Sequence, residues 1–153
     1  MTPDDTRRLV DPVLMVQKLH PQAVEPSKAH GTDAGLDLAA VERYTLYPGE
    51  RHLIPTGIAL QLPWGTVGLV HPRSGLANDH GVTVLNAPGV IDEGYTGEVM
   101  VNLINHGRER YTVEPGERVA QLIIQTYLSP VVMVTQKLAS TARGTAGHGS
   151  TGR

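Results

Sequence analysis

The sequence predicts an all-β domain, a jelly roll of antiparallel strands with one short helix. Its apolar runs are short, and Pro-Gly, Asn and Gly turn signals separate them at regular spacing, which is typical of antiparallel sandwiches and barrels. The 17 Gly and 11 Pro residues indicate frequent turns. Two segments, YTLYPGER at 44–51 and YTVEPGER at 111–118, repeat one strand-and-turn pattern, as two related halves of a jelly roll would.

Each element follows from these signals in chain order. In both repeats Pro suits the second turn position and Gly the third, where φ is positive, although a good exposed turn used twice remains an alternative to true halves. A short helix is predicted at Ser74–Asp79, and Pro130 ends the longest C-terminal strand. The predicted strands are Val13–Leu19, Tyr44–Leu46, Leu53–Leu62, Thr66–His71, Val82–Leu85, Glu98–Asn105, Tyr111–Val113, Val119–Leu128 and Val131–Val134.

Length and composition indicate one domain over residues 1–153, with 1–12 a flexible N-terminus and 140–153 a mobile C-terminal arm. The net charge of -2 argues against nucleic-acid binding. Neither a signal peptide nor a membrane span is recognisable, so we expect a cytoplasmic protein. Cys is absent, which excludes disulfides and thiolate chemistry. With no Phe and only 4% aromatic residues, the core must consist of Val, Leu, Ile and Ala, and a small β-domain of this kind gains burial by oligomerising.

Several common site motifs are missing or out of context. No GxxxxGK[ST], HExxH or GxSxG pattern occurs, which argues against a P-loop enzyme, a His-based metal site and a serine hydrolase. The segment Gly147–Gly152 matches GxGxxG, but no strand precedes it and no helix follows. The dinucleotide-binding interpretation therefore fails.

The segment HPRSGLA at 71–77 has the composition of a phosphate site. Arg73 offers charge, Ser74 a hydroxyl and Gly75 an accessible N–H at a strand end, and together these groups can hold phosphate. The alternative is that Ser74 only caps a helix, and the residues alone leave the two equal.

Two acidic residues are candidates for catalysis or metal binding. In GVIDEGYTGE at 89–98, Asp92 follows an apolar run near Tyr95, as a general base beside a ring-stacking wall would. Asp37 in DAGLDL lies between apolar neighbours, where an acid is costly unless it is paired or near a metal. The competing interpretation of both is an aspartate that favours a turn.

The C-terminal arm is rich in glycine, with Arg143 available for a terminal phosphate and His148 as its one ring. Its glycines allow close backbone approach, and Ser150 and Thr151 offer hydroxyls. The arm therefore suits a lid, and the alternative is a terminus without function.

Taken in order, five segments resemble the five motifs of the homotrimeric dUTPase family, and they span nearly the whole chain. They are DAGLDLAA at 33–40, HPRSGLA at 71–77, GVIDEGYTGEV at 89–99, RVAQLII at 118–124 and RGTAGHGSTG at 143–152. The resemblance implies a distorted jelly roll of the β-clip type, assembled as a homotrimer whose three active sites are each built from three chains. It implies that Pro130 is the hinge from which the pre-tail strand crosses to a neighbour.

The activity implied by this resemblance is Mg²⁺-assisted hydrolysis of dUTP to dUMP and pyrophosphate. Such an enzyme limits uracil incorporation into DNA and supplies dUMP for thymidylate synthesis. The resemblance makes Asp92 the base that activates the attacking water, Ser74 a stabiliser of the departing pyrophosphate, and Gln121 a contact to water or phosphate. Mg²⁺ would be held mainly by phosphates and waters, with Asp37 in the outer shell.

Position by position, the resemblance also implies how the nucleotide is held. The main chain from Asn86 to Val90 reads uracil, Tyr95 packs under deoxyribose, and the arm closes over the β- and γ-phosphates. The substrate-binding residues it implies are Arg73, Ser74, Gly75, Asn86, Gly89, Val90, Asp92, Tyr95, Gln121, Arg143, His148, Gly149, Ser150 and Thr151.

Two departures and two alternatives accompany this interpretation. His148 stands where the family usually has Phe, and Ala146 where it usually has Gly, so we expect activity with an altered stacking surface and a stiffer arm. A dCTP deaminase relative shares the fold but does not need the GVIDxxY signature. A regulatory protein built on the same scaffold would usually carry an insert, and none is recognisable.

Overall fold

Ten strands and one helix form within residues 12–147, the part of the chain that the computed structural model describes. No helix within this range is long and apolar enough to cross a membrane. The elements are β1 Met15–Lys18, β2 Leu36–Ala39, β3 Tyr44–Leu46, β4 Arg51–Gln61, β5 Thr66–His71, α1 Ser74–His80, β6 Val82–Val84, β7 Gly89–Ile91, β8 Glu98–Asn105, β9 Tyr111–Val113 and β10 Arg118–Thr126.

The strands form two four-stranded antiparallel sheets, in the orders β1-β4-β8-β6 and β2-β10-β5-β7, and a two-stranded ribbon, β3-β9. Alternate side chains of both large sheets point into one buried cluster, as expected when one face of each sheet is covered. The buried apolar side chains are all Ala, Val, Leu or Ile, as the composition predicts. The jelly roll predicted from the sequence is confirmed.

The two PGER repeats occupy matching places in this fold. Thr45 of β3 lies opposite Thr112 of β9 in the ribbon, and each turn glycine has positive φ, 81° at Gly49 and 83° at Gly116. In each repeat the final glutamate accepts a hydrogen bond from the first tyrosine. Burial raises the pKa of the second of these tyrosines, Tyr111. This correspondence supports two related halves rather than one turn used twice by chance.

The structure corrects the prediction at three places. Strands β2 and β7 were not among the predicted strands, because only their pairing with β10 and β5 defines them. The predicted strand Val131–Val134 does not form within this chain; its residues are exposed and outside all three sheets. An extended segment needs a neighbouring strand for its N–H and C=O groups, and the chain does not bring one to this segment.

Candidate functional site

A cleft of about 360 Å³ opens between β2, the start of α1 and β10. We call it the arginine cleft. Candidate site residues from three segments that are far apart along the chain lie together in it. Its lining includes Asp33, Asp37, Arg73, Ser74, Gly75, Arg118 and Gln121.

The segment HPRSGLA at 71–77 follows the end of β5 and lies at this cleft. Arg73 is the N-cap of α1 with extended backbone, and no side chain caps the helix. Buried Leu76 anchors the first turn to the core, while Ser74 and Gly75 remain exposed. The interpretation of Ser74 as a simple helix cap is therefore wrong, and Ser74 lines the cleft.

Asp37 joins two arginines at the bottom of the arginine cleft. One carboxylate oxygen lies 3.2 Å from Nε of Arg73 and the other 3.0 Å from Nη1 of Arg118. Arg73 also donates from Nη1 to the carbonyl of Arg118, at 2.9 Å. With Asp33, the lining has two carboxylates and two guanidinium groups, and the two arginines supply the charged N–H donors that bind phosphate.

Gln121 is held at the centre of the same cleft. It lies on β10 opposite both Asp37 of β2 and His71 of β5, and its Nε2 donates to the carbonyl of Pro72 at 3.0 Å. A Cβ at Gly35 would collide with its amide oxygen, so the glycine of DAGLDL leaves room for this side chain. The first, second and fourth motif segments thus meet in one place.

The third motif segment lines a different cleft of about 340 Å³, which we call the tyrosine cleft. Its lining includes Val90, Asp92 and Tyr95. The hairpin is a tight turn in which the N–H of Tyr95 donates to the carbonyl of Asp92 at 3.0 Å. Asp92 is thus the first residue of a turn, and its carboxylate is exposed. The turn interpretation of Asp92 is confirmed without excluding a catalytic role.

Asn86 and Gly89 stand at the entrance to this hairpin. They flank the cis bond between Ala87 and Pro88, and Gly89 pairs with Val70 at the start of β7. A Cβ at Gly89 would lie 3.4 Å from the amide nitrogen of Asn86, so the two residues lie close together beside the exposed Val90.

Within one chain the two clefts lie at opposite corners of the sheet β2-β10-β5-β7. Asp37 is on one edge strand and Asp92 follows the other, three spacings of about 4.8 Å apart. Asp37 is level with His71, whereas Ile91, just before Asp92, pairs with Gly68. That adds about 13 Å along the strands at roughly 3.3 Å per residue, so one chain does not bring Asp92 to the arginine cleft.

The residues available for a metal are few. Within residues 12–147 no group of three or more His, Cys, Asp or Glu side chains could hold a metal ion. Two carboxylates, Asp33 and Asp37, line the arginine cleft. Mg²⁺ commonly takes one or two carboxylates and completes its shell with substrate phosphates and waters, and this donor set fits that pattern once a phosphate ligand is present.

The C-terminal arm lies away from both clefts in the single chain. Residues 127–147 are exposed throughout, and Arg143 donates from Nε to the carbonyl of Ala146, at 3.1 Å, within the arm itself. The other four arm candidates, His148, Gly149, Ser150 and Thr151, lie outside the described residues.

Sequence reasoning gave no role to two charged residues of the arginine cleft, Asp33 and Arg118. Arg118 begins the segment RVAQLII. Strict alternation would put Arg118 and Gln121, three residues apart, on opposite faces of a strand. The bulge between Arg118 and Ala120 shifts that register, so only the structure places the guanidinium beside Asp37.

Comparison with known proteins agrees with this geometry. The dUTPase family model matches residues 22–152. The deoxyuridine 5'-triphosphate nucleotidohydrolase of Clostridium novyi (strain NT) is 51% identical over 139 residues, which cover 91% of this chain and 98% of the relative.

Two solved structures are similar to the whole fold. A mutant dUTPase of Staphylococcus bacteriophage 80alpha with dUpNHpp has a TM-score of 0.86 and 29% identity, covering 92% of this chain and 99% of the other. A mutant dUTPase from phage phi11 of S. aureus, described with a coordinated structural Mg(II) ion, has a TM-score of 0.76 and 28% identity, covering 82% and 97%. The family match over most of the sequence and the 51% identical relative show that this chain belongs to the dUTPase family, whose members are dUTP diphosphatases.

Proposed function

We propose that this chain hydrolyses dUTP to dUMP and pyrophosphate, in sites shared between copies of itself. The observation that carries the proposal is the division of one complete set of groups between two clefts. A cleft that offers the Arg73 guanidinium, the Ser74 hydroxyl and the Gly75 N–H suits a triphosphate, and the hairpin from Asp92 to Tyr95 suits a nucleoside and a water. The substrate is a DNA precursor, so we place the activity in the cytoplasm.

The proposed chemistry is attack of water on the α-phosphorus. Asp92 takes a proton from the water, the water oxygen bonds to phosphorus, and the bond to the α,β-bridging oxygen breaks. The Ser74 hydroxyl and the Gly75 N–H stabilise charge on the departing pyrophosphate, while Arg73 and Gln121 hold the phosphates or the water. Positioning and charge neutralisation supply most of the rate in such reactions.

Selection of the nucleoside belongs to the tyrosine cleft in this proposal. The main chain between Asn86 and Val90 reads the uracil edge and leaves no room for a 5-methyl group. Tyr95 packs under the deoxyribose and crowds a 2′-hydroxyl. The exposed Val90 beside the ring provides apolar surface for the base.

Mg²⁺ fits the arginine cleft through phosphate oxygens and waters, with Asp37 in the outer shell. When bound it would neutralise phosphate charge and orient the triphosphate chain. Both Asp37 oxygens already contact arginines, which favours contact with the ion through water over direct ligation.

Sharing of the site between three chains is supported by two features. Asp92 and Ser74 must both lie within a few ångströms of one triphosphate, which the opposite corners of the sheet do not allow in one chain. The outer face of the sheet β1-β4-β8-β6 also carries exposed apolar side chains, Leu53 and Met100, with Leu85 directly after β6. Leu53 and Met100 also line the tyrosine cleft, so a copy that covered this face would enclose that cleft.

The arm is the second connection between copies in this proposal. The apolar segment that leads into the arm, from Leu128 to Val134, is exposed and without a strand partner in one chain, and it would gain one on a neighbour. Arg143, His148, Gly149, Ser150 and Thr151 would then close over the base and the β- and γ-phosphates of the neighbour's nucleotide.

The decisive test is pyrophosphate release from each of the common deoxynucleoside triphosphates and UTP, with and without Mg²⁺. We expect turnover of dUTP with Mg²⁺, and specificity constants at least 100-fold lower for the rest. Ammonia release from dCTP would instead identify a deaminase. Absence of turnover with dUTP would overturn the proposal and favour a regulatory binding role.

Replacing Tyr95 by Ala is expected to relax discrimination against UTP more than discrimination against dTTP. The phenol ring crowds the 2′-position, whereas main chain reads the base, so the sugar preference depends on the ring. The ratios of kcat/KM for dUTP, UTP and dTTP measure this. An unchanged ratio of dUTP to UTP would refute the assignment of Tyr95 to the sugar.

Replacing Arg118 by Gln is expected to lower kcat/KM for dUTP by about tenfold or more, because a hydrogen bond from a charged group to phosphate contributes ~1.5–3 kcal/mol and ~1.4 kcal/mol is a factor of ten. The melting temperature should change little, since the Arg118 side chain is half-exposed and exposed ion pairs contribute ~1 kcal/mol at most.

A matched control for Arg118 is Arg43→Gln. Arg43 pairs with Glu114 at 3.4 Å, both ends are exposed, and neither cleft includes it. Its kcat/KM should stay within twofold of the parent. Equal activity of the Arg118 and Arg43 variants would remove Arg118 from the site.

A further inference from the structure

Gly97 lies directly beneath the hydroxyl end of Tyr95. A Cβ built on Gly97 would be 2.6 Å from the Tyr95 hydroxyl oxygen, 2.8 Å from Cζ and 3.1 Å from Cε2. All three distances are below the 3.4–4 Å of ordinary contact with a Cβ. The ring therefore rests on the bare Cα of this glycine, at a distance that no other residue type permits.

The need for glycine at position 97 is steric and comes from the ring. The backbone of Gly97 is not in the left-handed region, so its φ does not require a glycine. Gly94, in the same turn, also lacks positive φ and has no atom within 4 Å of a built Cβ. Only Gly97 of the two would bring a Cβ against the Tyr95 ring.

A hydrogen bond holds the same end of the ring. The Tyr95 hydroxyl donates to the carbonyl of Glu98 at 2.9 Å. Glu98 is fixed in β8, where it pairs with Ala59 and its carboxylate accepts from the N–H of Gly57 at 2.8 Å. Tyr95 is 47% exposed, and this hydrogen bond and the surface of Gly97 hold the hydroxyl end of its ring.

We infer that Gly97 is a specificity-determining position for the sugar, acting through Tyr95 by setting how deeply the ring lies. The inference rests on the proposed function, in which Tyr95 discriminates between deoxyribose and ribose. A methyl group at position 97 would push the hydroxyl end about 0.8 Å away from the backbone and stretch its bond to Glu98. The ring would move into the tyrosine cleft, where the sugar binds.

The experiment is a double-mutant cycle of Gly97→Ala and Tyr95→Ala, with Gly94→Ala as the matched control. A displacement near 1 Å can cost up to ~10²-fold in rate. We expect Gly97→Ala to lower kcat/KM for dUTP about tenfold and to change the dUTP/UTP ratio at least fivefold, with the dUTP/dTTP ratio within twofold. In the Tyr95→Ala background the same substitution should have less than a twofold effect, because coupled residues are not additive. Gly94→Ala should stay within twofold of the parent.

Four results overturn the inference. The first is that Gly97→Ala lowers kcat/KM for dUTP equally in the parent and in the Tyr95→Ala background, and the second is that Gly94→Ala lowers it as much as Gly97→Ala does. The third is that Gly97→Ala leaves the dUTP/UTP ratio unchanged, and the fourth is that it changes the dUTP/UTP and dUTP/dTTP ratios equally. The colliding atoms are the far end of a flexible side chain, so we expect Gly97→Ala to fold. If it does not, the double variant decides: folding restored by removal of the ring supports the inference, and failure to fold again overturns it. Failure of this inference can be distinguished from failure of the proposed function. Turnover of dUTP by the parent tests the proposed function, and the double-mutant cycle tests only the role of Gly97.

Discussion

Replacing Asp92 by Asn is expected to abolish turnover of dUTP while leaving nucleotide binding close to that of the parent. Asn has the same shape but cannot take a proton from the attacking water, and loss of a general base typically costs ~10²–10⁴-fold. The turn should survive, because the carbonyl of Asp92 and not its carboxylate accepts from Tyr95. The carboxylate is also exposed, so little stability depends on it.

Two measurements test the Asp92 prediction. Pyrophosphate release reports turnover, and titration with a non-hydrolysable dUTP analogue reports binding. Asp79→Asn is the control, since Asp79 is an exposed acid of α1 that lines neither of the two clefts, and its activity should equal that of the parent. Near-normal turnover by purified Asp92→Asn protein would remove the base assignment, and loss of binding together with turnover would point to a structural role.

Truncation after Ala142 is expected to remove most activity, by about 10²-fold or more, and to leave the proposed trimer intact. The deleted residues include Arg143 and the remaining candidates for the phosphate clamp, and several charge-assisted hydrogen bonds to phosphate are lost together. The apolar residues from Leu128 to Leu138 remain in the truncated chain. These residues, and not the glycine-rich end, have the exposed apolar surface that association would bury.

Light scattering and the pyrophosphate assay test the truncation together. Full-length Arg143→Ala separates the charge from the rest of the arm, and we expect it to lose at least tenfold in kcat/KM. A truncated chain that is a fully active trimer would contradict the lid. A truncated monomer would instead show that residues 143–153 hold the assembly together.

The sequence predicts the strands correctly where the hydrophobic pattern and the turn residues agree. Four strands, β3, β5, β8 and β9, have the predicted bounds, because each is an apolar or alternating run closed by turn residues. Strands β2 and β7 escaped prediction although they are no shorter than β3 and β9. Their pairing with β10 and β5 is a long-range contact that a local pattern does not contain.

The sequence identified some residues of the candidate site but not the contacts between them. HPRSGLA identified Arg73, Ser74 and Gly75, and the structure brings them together with Asp37 and Gln121 in the arginine cleft. The resemblance suggested only an outer-shell metal role for Asp37, whereas the structure gives its carboxylate two arginine partners. That contact joins residues 37, 73 and 118, which are distant in sequence, so no local signal predicts it.

By itself the sequence determined the β-rich class, the composition of the core, the repeated PGER turns and the residue types of the motifs. These depend on side-chain alternation and on turn preferences, which act over a few residues. Only the tertiary structure decided which motifs share a cleft, because sheet order and register set the distance between residues far apart in sequence. It placed Asp37 and Asp92 at opposite corners of one sheet, and it placed the Tyr95 ring against the bare Cα of Gly97.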